Sequence, residues 1–193
     1  MASKKLILLD RDGVINVNKR NYVKSLKEFE YIDGSARALQ IMLESGFDLS
    51  ICSNQRGVSL GMVAGKVLNS IEAYIKYSLP KNKYDISYYY CSHGLEDNCE
   101  CRKPRPGLLK QAMKAKNISS DETLFVGDNS SDYYAACNAG IDFVLVLTGH
   151  GHRSSLDVPA HVPRYLNLLE FALSLTPNDF NEDVTNYSPA RIR

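Results

Sequence analysis

Leu6-Ile7-Leu8-Leu9-Asp10-Arg11-Asp12-Gly13 joins a short, unbroken apolar run to a charged cluster. A strand with one wet face alternates apolar and polar residues. Four apolar residues in a row instead describe a strand covered on both faces, as in a parallel sheet. The acidic pair then lies at the carboxyl end of that strand, where open α/β sheets carry their chemistry.

Elements further along repeat the pattern. Asp33 is expected to cap a helix that carries Ala36, Leu39, Met42 and Leu43 on one face and ends at Gly46. Residues 47–52 read as a second strand. Val63, Val67, Ile71 and Ile75 recur every fourth residue, the spacing of a long amphipathic helix. Residues 86–90 form a third expected strand, and Pro106 suits the first turn of a helix running to about 116. A fourth strand at 123–126, a short helix to Gly140, a fifth strand at 143–147 and a helix at 165–175 complete the order. Strands alternating with helices imply an α/β fold, a three-layer, Rossmann-like parallel sheet with helices on both faces. Residues 1–175 are expected to form one domain with no second domain inserted, followed by a polar tail at 176–193.

The bulk numbers exclude several classes. The chain has 193 residues, 44% hydrophobic and 23% charged, with a formal net charge of +1. This is the balance of an ordinary globular protein, long enough to bury a core without disulfides. Near-neutral charge gives no broad pull towards nucleic acid or a membrane surface. Only four apolar residues follow Lys4 and Lys5, too few for a secretory core, and no apolar run is long enough to span a bilayer. A cytoplasmic monomer is expected.

The expected strand ends read Asp10-Arg-Asp12, Ser53-Asn54-Gln55-Arg56, Cys91-Ser-His93 and Gly127-Asp128-Asn129. A bare Asp-x-Asp is more often a solvated turn than a site. Here Asp128 and Asp132 follow the fourth strand, and two acidic clusters on neighbouring strands repel unless a cation lies between them. Oxygen ligands near phosphate favour magnesium. Ser53 offers a hydroxyl and backbone amides to a phosphate, and Lys103 a point charge. Asp10, nearest the strand, suits a nucleophile that forms an aspartyl-phosphate. Asp12, two residues on, suits the acid/base, with its carbonyl left for the metal.

These residues resemble the haloacid dehalogenase (HAD) superfamily, whose four motifs occur in order: Asp10-Arg-Asp12-Gly-Val, Ser53-Asn54, Lys103 and Gly127-Asp128-x-x-x-Asp132. The resemblance implies nucleophile and acid/base roles for Asp10 and Asp12. It implies magnesium held by Asp10, the Asp12 carbonyl and Asp128, and the transferring phosphoryl group held by Ser53 and Lys103. The absence of a large insertion is similar to the capless branch, whose pocket is shaped by short loops.

Cys91, His93, Cys99 and Cys101 form Cys-x-His…Cys-x-Cys. Four soft ligands suit tetrahedral zinc in a closed, structural site; a chance cluster of thiols is the bland alternative. The loop ends in Arg102-Lys103, which places both cations at the pocket rim. Cys52 and Cys137 are expected in the core. This arrangement resembles the family of heptose-bisphosphate and histidinol-phosphate phosphatases, which share Cys-x-His…Cys-x-Cys-Arg-Lys-Pro. The opening Asp10-Arg-Asp-Gly-Val-Ile-Asn16, then Tyr22-Val23 and Phe29-Glu-Tyr-Ile-Asp-Gly34, are similar to the heptose members. The resemblance implies the 7-phosphate of a heptose 1,7-bisphosphate as substrate, within nucleotide-activated heptose and lipopolysaccharide biosynthesis. A substrate rim of Asn18, Lys19, Tyr22, Asn54, Gln55, Arg56, Arg102 and Asn129 is expected; Arg56 stands where many family members have a small residue and Asn129 where many have a lysine, so Arg56 is expected to supply the missing charge. A histidinol-phosphate phosphatase and a catalytically silent zinc-stabilised binding module are the alternatives. For Lys19-Arg20 and for His150 and His152, a surface turn and a solvated loop are the bland readings.

Overall fold

The computed structural model describes residues 4–80 and 85–176. Among the described residues, six parallel strands form one sheet in the order β3-β2-β1-β4-β5-β6. They are β1 (Leu6–Leu9), β2 (Asp48–Asn54), β3 (Ile86–Cys91), β4 (Thr123–Gly127), β5 (Asp142–Val146) and β6 (Arg164–Tyr165). Strand order runs outward one way from β1 through β3 and the other way from β4, so β1 and β4 flank the switch point where such sheets open a crevice.

The apolar run of β1 supplies both layers. Ile7 and Leu9 join a core beneath α1 (Ser35–Glu44), α3 (Gly65–Ser78) and α7 (Leu168–Ser174). Leu6 and Leu8 face a second core beneath α4 (Gly107–Lys116) and α5 (Ser130–Ala139). All four are fully buried. At about 25 cal/mol per Å² of apolar area, two covered faces make β1 the strand least able to tolerate a polar residue.

Several local expectations change. The α1 N-cap is Gly34 at φ 76°, with no side-chain cap, so Asp33 does not fill that role. Gly34 lies against α7, where a Cβ would meet Leu169 at 2.7 Å; close packing, not capping chemistry, chose the residue. Val63 precedes α3 and is buried outside it, while Leu68, Ile71 and Ile75 form the buried helical face. Pro106 is the N-cap of α4, one residue before its first turn. Tyr165 lies in β6, and the last helix begins at Leu168. Two short helices, α2 (Arg56–Ser59) and α6 (Gly151–Ser154), follow β2 and β5. Cys52 is buried in β2, whereas Cys137 is exposed on α5. Of the tail at 176–193, all but Thr176 lies outside the described residues. No helix among the described residues is long and apolar enough to cross a membrane.

Candidate active site

Register brings the acidic clusters together. Leu9 pairs with Ile51 of β2 and with Val126 of β4. The Asp10 amide continues the ladder onto the Val126 carbonyl at 3.0 Å. Asp10 therefore emerges beside Gly127-Asp128 on one side and Ser53 on the other. The turn after it reverses through Gly13 at φ 92°. A Cβ on Gly13 would lie 2.1 Å from Asp128 Oδ2, so this close approach requires glycine. Thr148, after β5, donates its hydroxyl to the Gly13 carbonyl at 2.6 Å and ties the two loops together.

Asp10, Asp128 and Asp132 are buried, and their carboxylate oxygens lie within 4.8 Å of one another. Lys103 is buried with them, 2.9 Å from Asp10 and 2.7 Å from Asp132. Burial alone would lower the Lys103 pKa, but the two carboxylates hold it raised. Asp128 is pushed well above the usual carboxylate range by burial and by the charges of Asp132 and Asp10. Burial and the Asp10 charge likewise push Asp132 up to about 6, against the pull of Lys103. Four clustered carboxylates (Asp10, Asp12, Asp128 and Asp132) face two buried cations, Arg11 and Lys103. A divalent cation cancels the excess, so the donor set fits magnesium.

Asp12 is held on all sides. Arg11 Nη2 reaches both its oxygens at 3.1 and 2.9 Å, Asn16 donates at 2.9 Å and Gln55 at 2.7 Å. Burial would raise its pKa, but the Arg11 charge and these hydrogen bonds hold it below the usual value. The cleft over these groups has a volume of about 920 Å³ and is also lined by Asn18, Lys19, Tyr22, Ser53, Asn54, Arg102 and Asn129.

The rim residues divide by what their side chains already touch. Arg102 lines the cleft with Nη1 buried and without a hydrogen-bond partner among the described residues. Asn18 reaches across to His150 Nε2 at 2.8 Å, while Lys19 pairs with Glu30 at 2.9 Å. Asn54 exchanges two 3.1 Å bonds with the Lys103 backbone and so fixes that lysine. Asn129 caps α5, accepting from the Ser131 amide at 3.0 Å while Asp132 returns the capping box. Gln55 is bonded to Asp12, Ser53 and Arg11. Arg56 sits on α2 and does not line the cleft. The residues that sequence reading missed are Arg11 and Asn16. An arginine between two aspartates reads as solvated, and nothing in its spacing says that it is buried.

Cys91 ends β3, and His93, Cys99 and Cys101 fold back onto it. Neighbouring ligand atoms are separated by 3.7 Å (Cys91–His93), 3.6 Å (Cys91–Cys99), 3.2 Å (His93–Cys101) and 3.5 Å (Cys99–Cys101). A tetrahedron with zinc bonds of ~2.0–2.3 Å has edges of about 3.5–3.8 Å, so the four atoms outline a zinc-sized cage. Against burial, the Arg102 backbone amide and neighbouring thiols bring Cys99 down to about 7. Burial and the thiols of Cys91 and Cys99 push Cys101 up to about 12. One thiolate thus opposes the next, which a bound cation relieves.

With this geometry, comparison with known proteins becomes specific. A family model described as HAD-hydrolase-like matches residues 100–170. The D-glycero-beta-D-manno-heptose-1,7-bisphosphate 7-phosphatase of Pseudomonas putida is 35% identical over 151 residues, covering 78% of this chain and 86% of that one. The enzyme of the same name from Pasteurella multocida is 38% identical over 154 residues, covering 76% and 83%. The chain belongs to the heptose-1,7-bisphosphate 7-phosphatase family of HAD-like hydrolases. The crystal structure of the D,D-heptose 1,7-bisphosphate phosphatase from B. bronchiseptica, complexed with magnesium and phosphate, superposes with a TM-score of 0.81 at 29% identity. It covers 89% of this chain and 97% of that one. The capless α/β architecture expected from the sequence is that of this family.

Proposed function

We propose that this protein is a magnesium-dependent phosphatase that removes the 7-phosphate of D-glycero-β-D-manno-heptose 1,7-bisphosphate. The observation that carries the reading is the buried cluster of Asp10, Asp128 and Asp132 around Lys103, within a fold shared with relatives that bear this name. The described residues up to 175 act as a single domain around an embedded zinc loop at 91–101.

Asp10, Asp128 and the Asp12 carbonyl would hold magnesium, which supplies positive charge to a phosphoryl group that the carboxylates would otherwise repel. An Asp10 oxygen attacks phosphorus while the bond to the sugar O7 breaks. Asp12 is ionised in the free enzyme, and the negative charge of a bound phosphate beside it raises its carboxyl so that it takes up a proton. The departing electron pair stays on O7, which takes that proton from Asp12. Water then attacks phosphorus and gives its proton to Asp12, and the bond to Asp10 breaks to release phosphate. Ser53 and Lys103 hold the transferring oxygens. Asp132 takes no part in bond making; it orients Lys103 and the Asn129 turn. Arg102, set by the zinc knot, forks onto the remainder of the substrate. Placement in nucleotide-activated heptose and lipopolysaccharide synthesis follows from the substrate.

A binding module without catalysis has the same fold and the same zinc knot. Release of phosphate from an aryl phosphate, with and without magnesium and in Asp10→Asn, separates the two. The enzyme releases phosphate only with magnesium and an intact Asp10. No release in any arm contradicts the phosphatase reading.

A further inference from the structure

Arg11 is the largest fully buried side chain among the described residues, 1% exposed, although it sits on a turn between two aspartates. Its guanidinium carbon lies 6.0 Å from the centre of the Tyr90 ring. A buried guanidinium is costly unless a carboxylate answers it, and the carboxylate that does so is Asp12, at 2.9 Å. The same Nη2 also reaches Gln55 Oε1 at 3.1 Å, and Gln55 Nε2 returns to Asp12 Oδ2 at 2.7 Å. The three side chains close a triangle. Its fixed corner is the buried arginine, and the corner that opens onto the cleft is Asp12, whose side chain is 23% exposed.

We propose that Arg11, braced by Gln55, is a positioning residue that sets the Asp12 carboxylate for both of its proton transfers. The inference rests on the phosphatase reading above. A carboxylate on a turn can rotate about its side-chain bonds, and proton transfer requires heavy atoms within about 2.6–3.2 Å of each other. The planar, buried guanidinium holds its Nη2 in one place, within reach of both Asp12 oxygens and of Gln55, and so removes that rotation; a lysine's freely turning ammonium does not. Gln55 therefore acts through Asp12 and does not touch the sugar.

The test is Arg11→Lys, which keeps the charge and loses the planar guanidinium that places Nη2 between Asp12 and Gln55. It is assayed on p-nitrophenyl phosphate, whose leaving group departs without a proton, and on an alkyl phosphate that the wild type hydrolyses. Because kcat/KM reports events up to loss of the first product, the alkyl ester should lose ~10–10² in kcat/KM, within the usual worth of acid-base catalysis. The aryl ester should stay within about threefold in kcat/KM. Its steady state should nevertheless slow after a burst of about one equivalent of nitrophenol, because the second step still needs Asp12 as a base. In an Asp12→Asn background, Arg11→Lys should add nothing. Gln55→Leu leaves the buried cation paired and provides the same split if Arg11→Lys does not fold. Equal kcat/KM losses on both esters, or a further loss in the Asp12→Asn background, would overturn the positioning role. A wild type that hydrolyses neither ester overturns the phosphatase reading itself, and the positioning role with it.

Discussion

Gly149→Ala tests whether the Asp128 carboxylate is held where a metal needs it. Gly149 has φ 56°, and a Cβ there would lie 2.1 Å from Asp128 Oδ2 and 2.6 Å from Gly13 Cα. Side-chain Cβ atoms essentially never come within 3.0 Å of such a neighbour, so Oδ2 must retreat by about 0.9 Å. That oxygen also accepts the His150 amide at 2.7 Å, and the retreat stretches this bond. Displacements near 1 Å in reacting groups cost on the order of 10², and disturbed ligand support costs roughly 10–100-fold in metal affinity. The half-saturating magnesium concentration for aryl phosphate hydrolysis should therefore rise about 10–100-fold. A left-handed alanine separately costs ~1–2 kcal/mol, or roughly 2–8 °C in Tm at this size. Gly46→Ala separates the two effects: φ is 87° there, but a Cβ meets nothing within 4 Å. It should lower Tm and leave the magnesium response alone. A folded Gly149→Ala with the wild-type magnesium response would refute the proposed role of Asp128.

Asp10→Asn should abolish turnover with the fold intact, and Asp12→Asn should slow it by roughly 10²–10⁴; a phosphoryl group trapped during turnover should map by mass spectrometry to Asp10. Elemental analysis of protein prepared without chelators should give about one zinc per chain, and stripping it should raise KM by releasing Arg102 and Lys103. Without magnesium, the raised Asp128 and Asp132 bind protons more tightly folded than unfolded. For Asp132, stability from this source is present below the unfolded value near 3.8 and is lost as pH rises through about 6. Protons and magnesium then compete, and the Tm gain on adding magnesium should be larger at about pH 7.5 than at about pH 5. A gain that is larger at the lower pH would contradict this.

The parts of the fold that were legible from the sequence are those in which one residue type has one physical use. Leu6–Leu9 is apolar on both faces because both faces are covered, and that run located the strand and the aspartates after it. The cysteine and histidine spacing located a cluster whose four ligand atoms converge, because few other structures need three thiols so close. Elements set by tertiary contact were not legible. β6 is two residues long and exists because β5 offers an edge, so residues 164–165 carry no strand pattern of their own. Gly34 replaced Asp33 as the cap because Leu169 packs against it. Polar residues at the strand ends were located correctly, but their partners were not. Asn54, Gln55 and Asn129 turn towards protein neighbours and hold Lys103, Asp12 and α5 in place. A polar side chain looks the same in sequence whether it will meet a substrate or the residue that does.

Substrate choice follows from the charge of the rim. Arg102 offers the cleft a buried donor that has no partner among the described residues, and a cationic rim favours a second phosphate over the amine of histidinol phosphate. The direct measurement is kcat/KM for D-glycero-β-D-manno-heptose 1,7-bisphosphate against histidinol phosphate, with magnesium and zinc-loaded protein, following the products by phosphorus NMR. The heptose bisphosphate should be preferred by about a hundredfold, equivalent to ~2.8 kcal/mol, with the 1-phosphate left in place. Preference for histidinol phosphate, or loss of the 1-phosphate first, would contradict it.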